Sequence, residues 1–66
     1  MNSYYILQFI RRDLKPAENY FYHSFEEALQ HLQLFQSDDS NLYERIVIFS
    51  SADPSTICEE LRFEDN

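Results

Sequence analysis

The sequence predicts a small α+β domain of order ββαββ, an antiparallel sheet carrying one amphipathic helix on one face. Three observations lead there. Two stretches, Tyr4–Ile10 and Leu42–Ser50, are dense in β-formers; a helix start, Ser24-Phe25-Glu26-Glu27, stands between them; and 66 residues leave room for one domain, 1–66, and no linker.

Along the first strand, alternation puts Tyr5, Leu7 and Phe9 on one face and Tyr4, Ile6, Gln8 and Ile10 on the other, so both faces are largely apolar. Arg11–Asn19 is polar and contains Lys15-Pro16, where proline fixes its own φ and steers Lys15 away from helix, so the chain turns. Tyr20–His23 is the short second strand, the return arm of a loose hairpin. The helix then opens on a capping box. Ser24 accepts from the N3 amide, Glu27 reaches back to the Ser24 amide, and two acids sit at the positive end of the helix dipole. Phe25, Ala28, Leu29, Leu32 and Phe35 recur at helical spacing and form one apolar stripe, until Ser37-Asp38-Asp39-Ser40-Asn41 ends it. Leu34 points roughly opposite Phe25; it is either the fraying end of the helix or part of a contact.

The third strand, Leu42–Ser50, holds the continuous run Ile46-Val47-Ile48-Phe49. Ala52-Asp53-Pro54-Ser55 reads as a turn with proline at its second position. For Thr56–Phe63, Ile57, Leu61 and Phe63 alternate as a strand, while Asp53-Pro54 followed by Glu59-Glu60 would also open a helix; the strand is favoured. With the two most apolar strands adjacent at the centre, the expected sheet order is 2-1-3-4.

The series of strand, aromatic strand, Ser-Phe-Glu-Glu-Ala helix, Asp-rich loop and Ile-Val-Ile-Phe strand is similar to a loose group of very small, uncharacterised bacterial proteins. The resemblance spans about Tyr4 to Phe63. It implies the ββαββ fold and brings no catalytic or binding residue with it.

Composition narrows the function classes. Glycine is absent, which removes Gly-rich phosphate loops and dinucleotide fingerprints, because both need a backbone approach that a Cβ blocks. The single Cys58 makes no internal disulfide, and a nucleophilic role would need His23, His31 or a lysine nearby, which the spacing does not supply. Two histidines eight apart, with no third ligand at a matching interval, define no metal site. Asp38-Asp39-Ser40-Asn41 lacks the sixth-position glycine and closing glutamate of a calcium loop. No catalytic residue, cofactor or metal is expected.

Twelve acids against five bases set the net charge at −7, and residues 37–66 carry −6 of it. Such a balance disfavours nucleic acid and anionic membrane as primary partners and favours a protein with a basic surface. Asp38, Asp39, Glu59, Glu60, Glu64 and Asp65 are the candidate acidic surface. No basic leader or apolar span of about 20 residues is present, so the expected compartment is the cytoplasm, with no membrane.

One helix can cover only one face of a four-stranded sheet. Tyr4, Ile6 and Ile10, with Ile46 and Ile48 of the third strand, are therefore expected to point away from it, as an apolar patch that a second copy covers in a homodimer. The function expected is a non-enzymatic, self-associating interaction module. The alternative is a nucleic-acid-binding accessory protein using Arg11, Arg12 and Lys15 with Tyr20 and Tyr22, since bases interleaved with aromatic rings can neutralise and stack a single strand.

Overall fold

The computed structural model describes residues 3–64. Its elements are β1 (Tyr5–Arg11), β2 (Glu18–Tyr22), α1 (Phe25–Gln33), β3 (Tyr43–Ser50) and β4 (Asp53–Arg62), in one antiparallel sheet of order β2-β1-β3-β4. This is the ββαββ fold, with the most apolar strands, β1 and β3, at its centre. The helix lies across β1, β2 and β3.

The register between the central strands decides which side chains meet the helix. Leu7 pairs with Ile48 and Phe9 with Ile46, and directly opposed residues of an antiparallel pair share a face. Leu7, Phe9, Ile46 and Ile48 accordingly form the buried core with Ala28 and Leu32 of the helix. This corrects the expected placement of Ile46 and Ile48. They lie beneath the helix, fully buried, and Val47 and Phe49 take the outward positions on β3.

Phe9 is the hub of an aromatic cluster, with ring centroids 4.9 Å from Phe35, 5.2 Å from Tyr43, 5.4 Å from His31 and 5.5 Å from Tyr20. Half-buried Tyr5, Tyr22, Phe25, Leu29, Leu61 and Phe63 close the margin of the core.

Ser24 is the N-cap. Its Oγ accepts from the Glu27 amide at 3.3 Å and donates to Glu27 Oε1 at 3.1 Å. The glutamate thus returns to the cap hydroxyl rather than to the cap amide, and a cap of this type is worth about 1 kcal/mol. The helix is shorter than its apolar stripe. After Gln33 the amides of Leu34, Phe35 and Gln36 donate three residues back, to His31, Leu32 and Gln33, a tightened last turn that still carries Phe35 onto Phe9. Leu34 leaves that turn 80% exposed.

Most strand ends shift by one residue from expectation, and two strands start two or three residues earlier. β2 begins at Glu18, because Asn19 and Glu18 pair with Gln8 and Phe9 and extend the hairpin by polar residues on a sheet edge. The turn expected at Ala52–Ser55 is Ser51-Ala52 alone; Asp53 pairs with Ser50, and Pro54 lies inside β4. An edge strand accepts proline because one side of its backbone has no ladder partner to lose. Register shifts around Phe49 mark where β4 departs from regular pairing.

The β1–β2 connection holds a bulky residue in the left-handed region. Leu14 has φ 64° and is 94% exposed. Its flanks are tied down by Asp13, whose Oδ1 accepts from Arg11 Nε at 3.0 Å and from the Lys15 amide at 3.2 Å, and whose Oδ2 accepts from Arg11 Nη2 at 2.7 Å. The Arg11 hydrogen bonds hold the Asp13 carboxyl down to about 2. A leucine there carries a Cβ penalty of about 1–2 kcal/mol and no compensating burial. Leu14→Gly is therefore expected to stabilise the fold by about 0.5–1 kcal/mol, after the extra chain entropy of glycine is subtracted. That corresponds to a melting temperature higher by roughly 3–6 °C; a lower melting temperature would mean that the Leu14 side chain makes a stabilising contact.

Candidate interaction surface

The face of the sheet turned away from the helix is read directly from the register. Ile6 pairs with Phe21 on β2 and with Phe49 on β3, and Phe49 pairs with Ile57 on β4. Phe21, Ile6, Phe49 and Ile57 thus form one row across all four strands. Phe21 is 64% and Ile57 47% exposed, and Tyr4 packs edge-on against Phe21 with ring centroids 5.6 Å apart. Tyr4 is itself anchored, its amide donating to Ser51 Oγ at 3.0 Å and its carbonyl accepting from the Ser51 amide at 2.8 Å.

Moving along the strands, the face becomes polar. The next row is Asn19, Gln8, Val47 and Glu60. Gln8 Nε2 donates to Asn19 Oδ1 at 3.1 Å, and Val47, outside the core cluster, is only 3% exposed in the middle of this row. Beyond it stand Ile10, Arg45 and Arg62. Arg45 Nη1 donates to Glu60 Oε2 at 2.9 Å and Arg62 Nε to Glu60 Oε1 at 3.0 Å. These two donors hold the Glu60 carboxyl below the usual carboxylate range. Among the described residues, the charged side chains that the register places on this face are Arg45, Glu60 and Arg62, two bases against one acid in a chain of net charge −7.

Of the expected patch, the structure groups Tyr4 and Ile6, leaves Ile10 on the same face but beside Arg45 beyond the polar row, replaces Ile46 and Ile48 by Val47 and Phe49, and adds Phe21 and Ile57. The parity of β3 was hard to read because four consecutive apolar residues satisfy either face. A signal was present in Arg45, whose charge belongs on the water side and carries Val47 and Phe49 with it, but the adjacent Glu44, at the shift in the β1–β3 pairing, masks it.

The expected acidic surface divides. Asp38, Asp39 and Glu64 line a shallow depression with Asn41 and Phe63, and Ser40 Oγ donates to Asp38 at 2.6 Å. Glu59 pairs across from Ile48, so it belongs to the helix side of the exposed β4 edge. Glu60 lies on the opposite face with its charge engaged by the two arginines. Asp65 lies outside the described residues.

The basic corner is partly self-neutralised. Arg11 holds Asp13 and lies 3.6 Å from Glu18, while Arg12 donates to the Phe63 carbonyl and buries an Nε that finds no partner among the described residues. Tyr20 and Tyr22 pack on the helix side. Tyr22 Oη sits 2.6 Å from His31 Nδ1, and the Tyr20 ring lies 5.0 Å from the His31 ring. Cys58 is exposed on β4, the sheet edge opposite β2, whereas His31 packs toward β1 and β2. No group of three His, Cys, Asp or Glu side chains suited to a metal ion occurs among the described residues, and no helix among them is long and apolar enough to cross a membrane. Comparison with protein-family models, curated proteins and solved structures finds no match to this chain.

Proposed function

We propose that this protein is a non-enzymatic, cytoplasmic interaction module that associates with a second copy through its uncovered sheet face and keeps its acidic end outward for a protein with a basic surface. The observation that carries the reading is the Phe21–Ile6–Phe49–Ile57 row, extended by Tyr4, on a face that no helix covers. Side chains of this kind at the tip of a sheet are poor solubilising residues and good association residues.

A second copy fits the face by area and by charge. Four strands about 4.8 Å apart and some eight residues long give a footprint of roughly 500 Å². Two copies bury roughly 1,000 Å², the low end for a specific interface, and so a dimer of moderate affinity. The Arg45–Glu60–Arg62 cluster leaves the face itself close to neutral, so the two contacting surfaces oppose no large like charge although each chain carries −7. Cys58 stands on the sheet edge opposite β2 while His31 packs toward β1 and β2, so that imidazole is not placed to activate the thiol.

Sedimentation of the native protein from low to high micromolar concentration is expected to show concentration-dependent passage from 8 to 16 kDa. The variant Phe21→Asp is expected to remain folded and monomeric, since Phe21 contributes little to the monomer's own core. A native protein that stays monomeric throughout would sink the self-association and assign the face to a different protein.

The acidic end has its own test. Binding to immobilised polylysine is expected to weaken with salt, as screening shortens the reach of the charges, and to fall sharply when Asp38, Asp39 and Glu59 with Glu64 are changed together to their amides. Glu60 is left out because its charge is already paired. Undiminished binding by that variant would leave these acids with solubility alone.

A further inference from the structure

The open face is not uniform, and its polarity selects one way for two copies to meet; the inference rests on the self-association proposed above. A face-to-face pair related by a two-fold axis has that axis in the plane between the sheets. With the axis across the strands, the Phe21–Ile6–Phe49–Ile57 row of one copy lands on the Arg45 and Arg62 end of the other. That arrangement strips water from three charged groups without supplying new partners, a cost that apolar burial at a small interface does not recover. With the axis along the strands, the apolar row meets the apolar row and both charged ends stay at the rim.

We propose that the second arrangement is the dimer: each strand runs in the same direction as its counterpart in the other copy, so β1 of one copy lies antiparallel over β3 of the other, and β2 lies antiparallel over β4. Ile6 of each copy then packs on Phe49 of its mate, and Phe21 packs on Ile57. The two acidic ends emerge at the same end of the assembly, doubling the negative surface offered to a basic partner.

Crosslinking separates this geometry from its rival. Facing sheets stand about 10 Å apart, beyond the roughly 7 Å between Cα atoms that a disulfide spans, so a short bis-maleimide is the probe. In a Cys58→Ser background, equal amounts of Phe21→Cys and Ile57→Cys chains are mixed and the crosslinked products weighed by mass spectrometry. The mixed 21–57 product is expected to exceed both same-site products, and a mixture of Ile57→Cys with Arg62→Cys is expected to give little. The reverse pattern overturns the proposal and selects the axis across the strands. Sedimentation of the same mixtures before crosslinking keeps the two readings apart: monomers without crosslinks remove self-association itself, whereas dimers with the wrong crosslinks remove only this arrangement.

Discussion

Replacing Ile48 by aspartate is expected to unfold the protein, whereas the same change at Ile6, one strand over and on the other face, is expected to leave a folded monomer. Ile48 is fully buried and faces Leu7 beneath the helix. A carboxylate there loses its water and meets only hydrocarbon, so it costs several kcal/mol whether it stays ionised or takes up a proton. A 66-residue domain holds about 3–10 kcal/mol in total. Ile6 is half-buried, and an aspartate at that position reaches water at the open face; its loss of apolar area and β-propensity amounts to about 1–2 kcal/mol. Far-UV circular dichroism with sedimentation distinguishes the two outcomes. If both variants unfold, or both stay folded, the assignment of opposite faces to these residues is wrong.

Phe9→Ala is the second large effect expected. The ring is almost fully buried and is met edge-on or tilted by Tyr20, His31, Phe35 and Tyr43. Truncation removes the apolar burial and leaves a cavity, together about 3–5 kcal/mol, and it strands His31 and three rings, Tyr20, Phe35 and Tyr43, whose edge-to-face pairing each added roughly 0.5–1.5 kcal/mol. At roughly 4–8 °C per kcal/mol for a chain this size, melting falls by tens of degrees or the chain is unfolded at room temperature. Phe9→Leu, which keeps much of the volume, is expected to lose markedly less. A Phe9→Ala variant within 1 kcal/mol of the native protein by denaturant titration would mean that the aromatic cluster is not the centre of the core.

The element order, the helix start at Ser24 and the sheet order 2-1-3-4 were legible in the residues, because each rests on local chemistry: β-branched and aromatic density, a capping hydroxyl with acids behind it, and the preference for burying the most apolar strands at the centre of a sheet. So was the existence of an uncovered face, since one helix cannot roof four strands. The aromatic row on that face was only half legible. Tyr4 and Ile6 announced themselves by alternation along Tyr4–Ile10, but Phe21 stands in a strand that reads as a run of aromatics, and Ile57 lies beside the shifted pairing of β4.

Ile46 and Ile48 show the limit most sharply. In Ile46-Val47-Ile48-Phe49 every position is apolar, so period-two patterning assigns no face. The choice belongs to the pairing of β3 with β1, where Leu7 opposes Ile48 and Phe9 opposes Ile46, and a slip of one residue would have exchanged the whole set. The fate of the charges was tertiary too. Glu60 and Glu59 are neighbours in the chain, yet strand alternation sends one to Arg45 and Arg62 on the open face and the other to the opposite side. Composition alone determined that the protein is acidic and rich in aromatic side chains. Which acids remain unpaired, and which rings face water, followed from long-range pairing, because those properties depend on neighbours that lie far away in the chain.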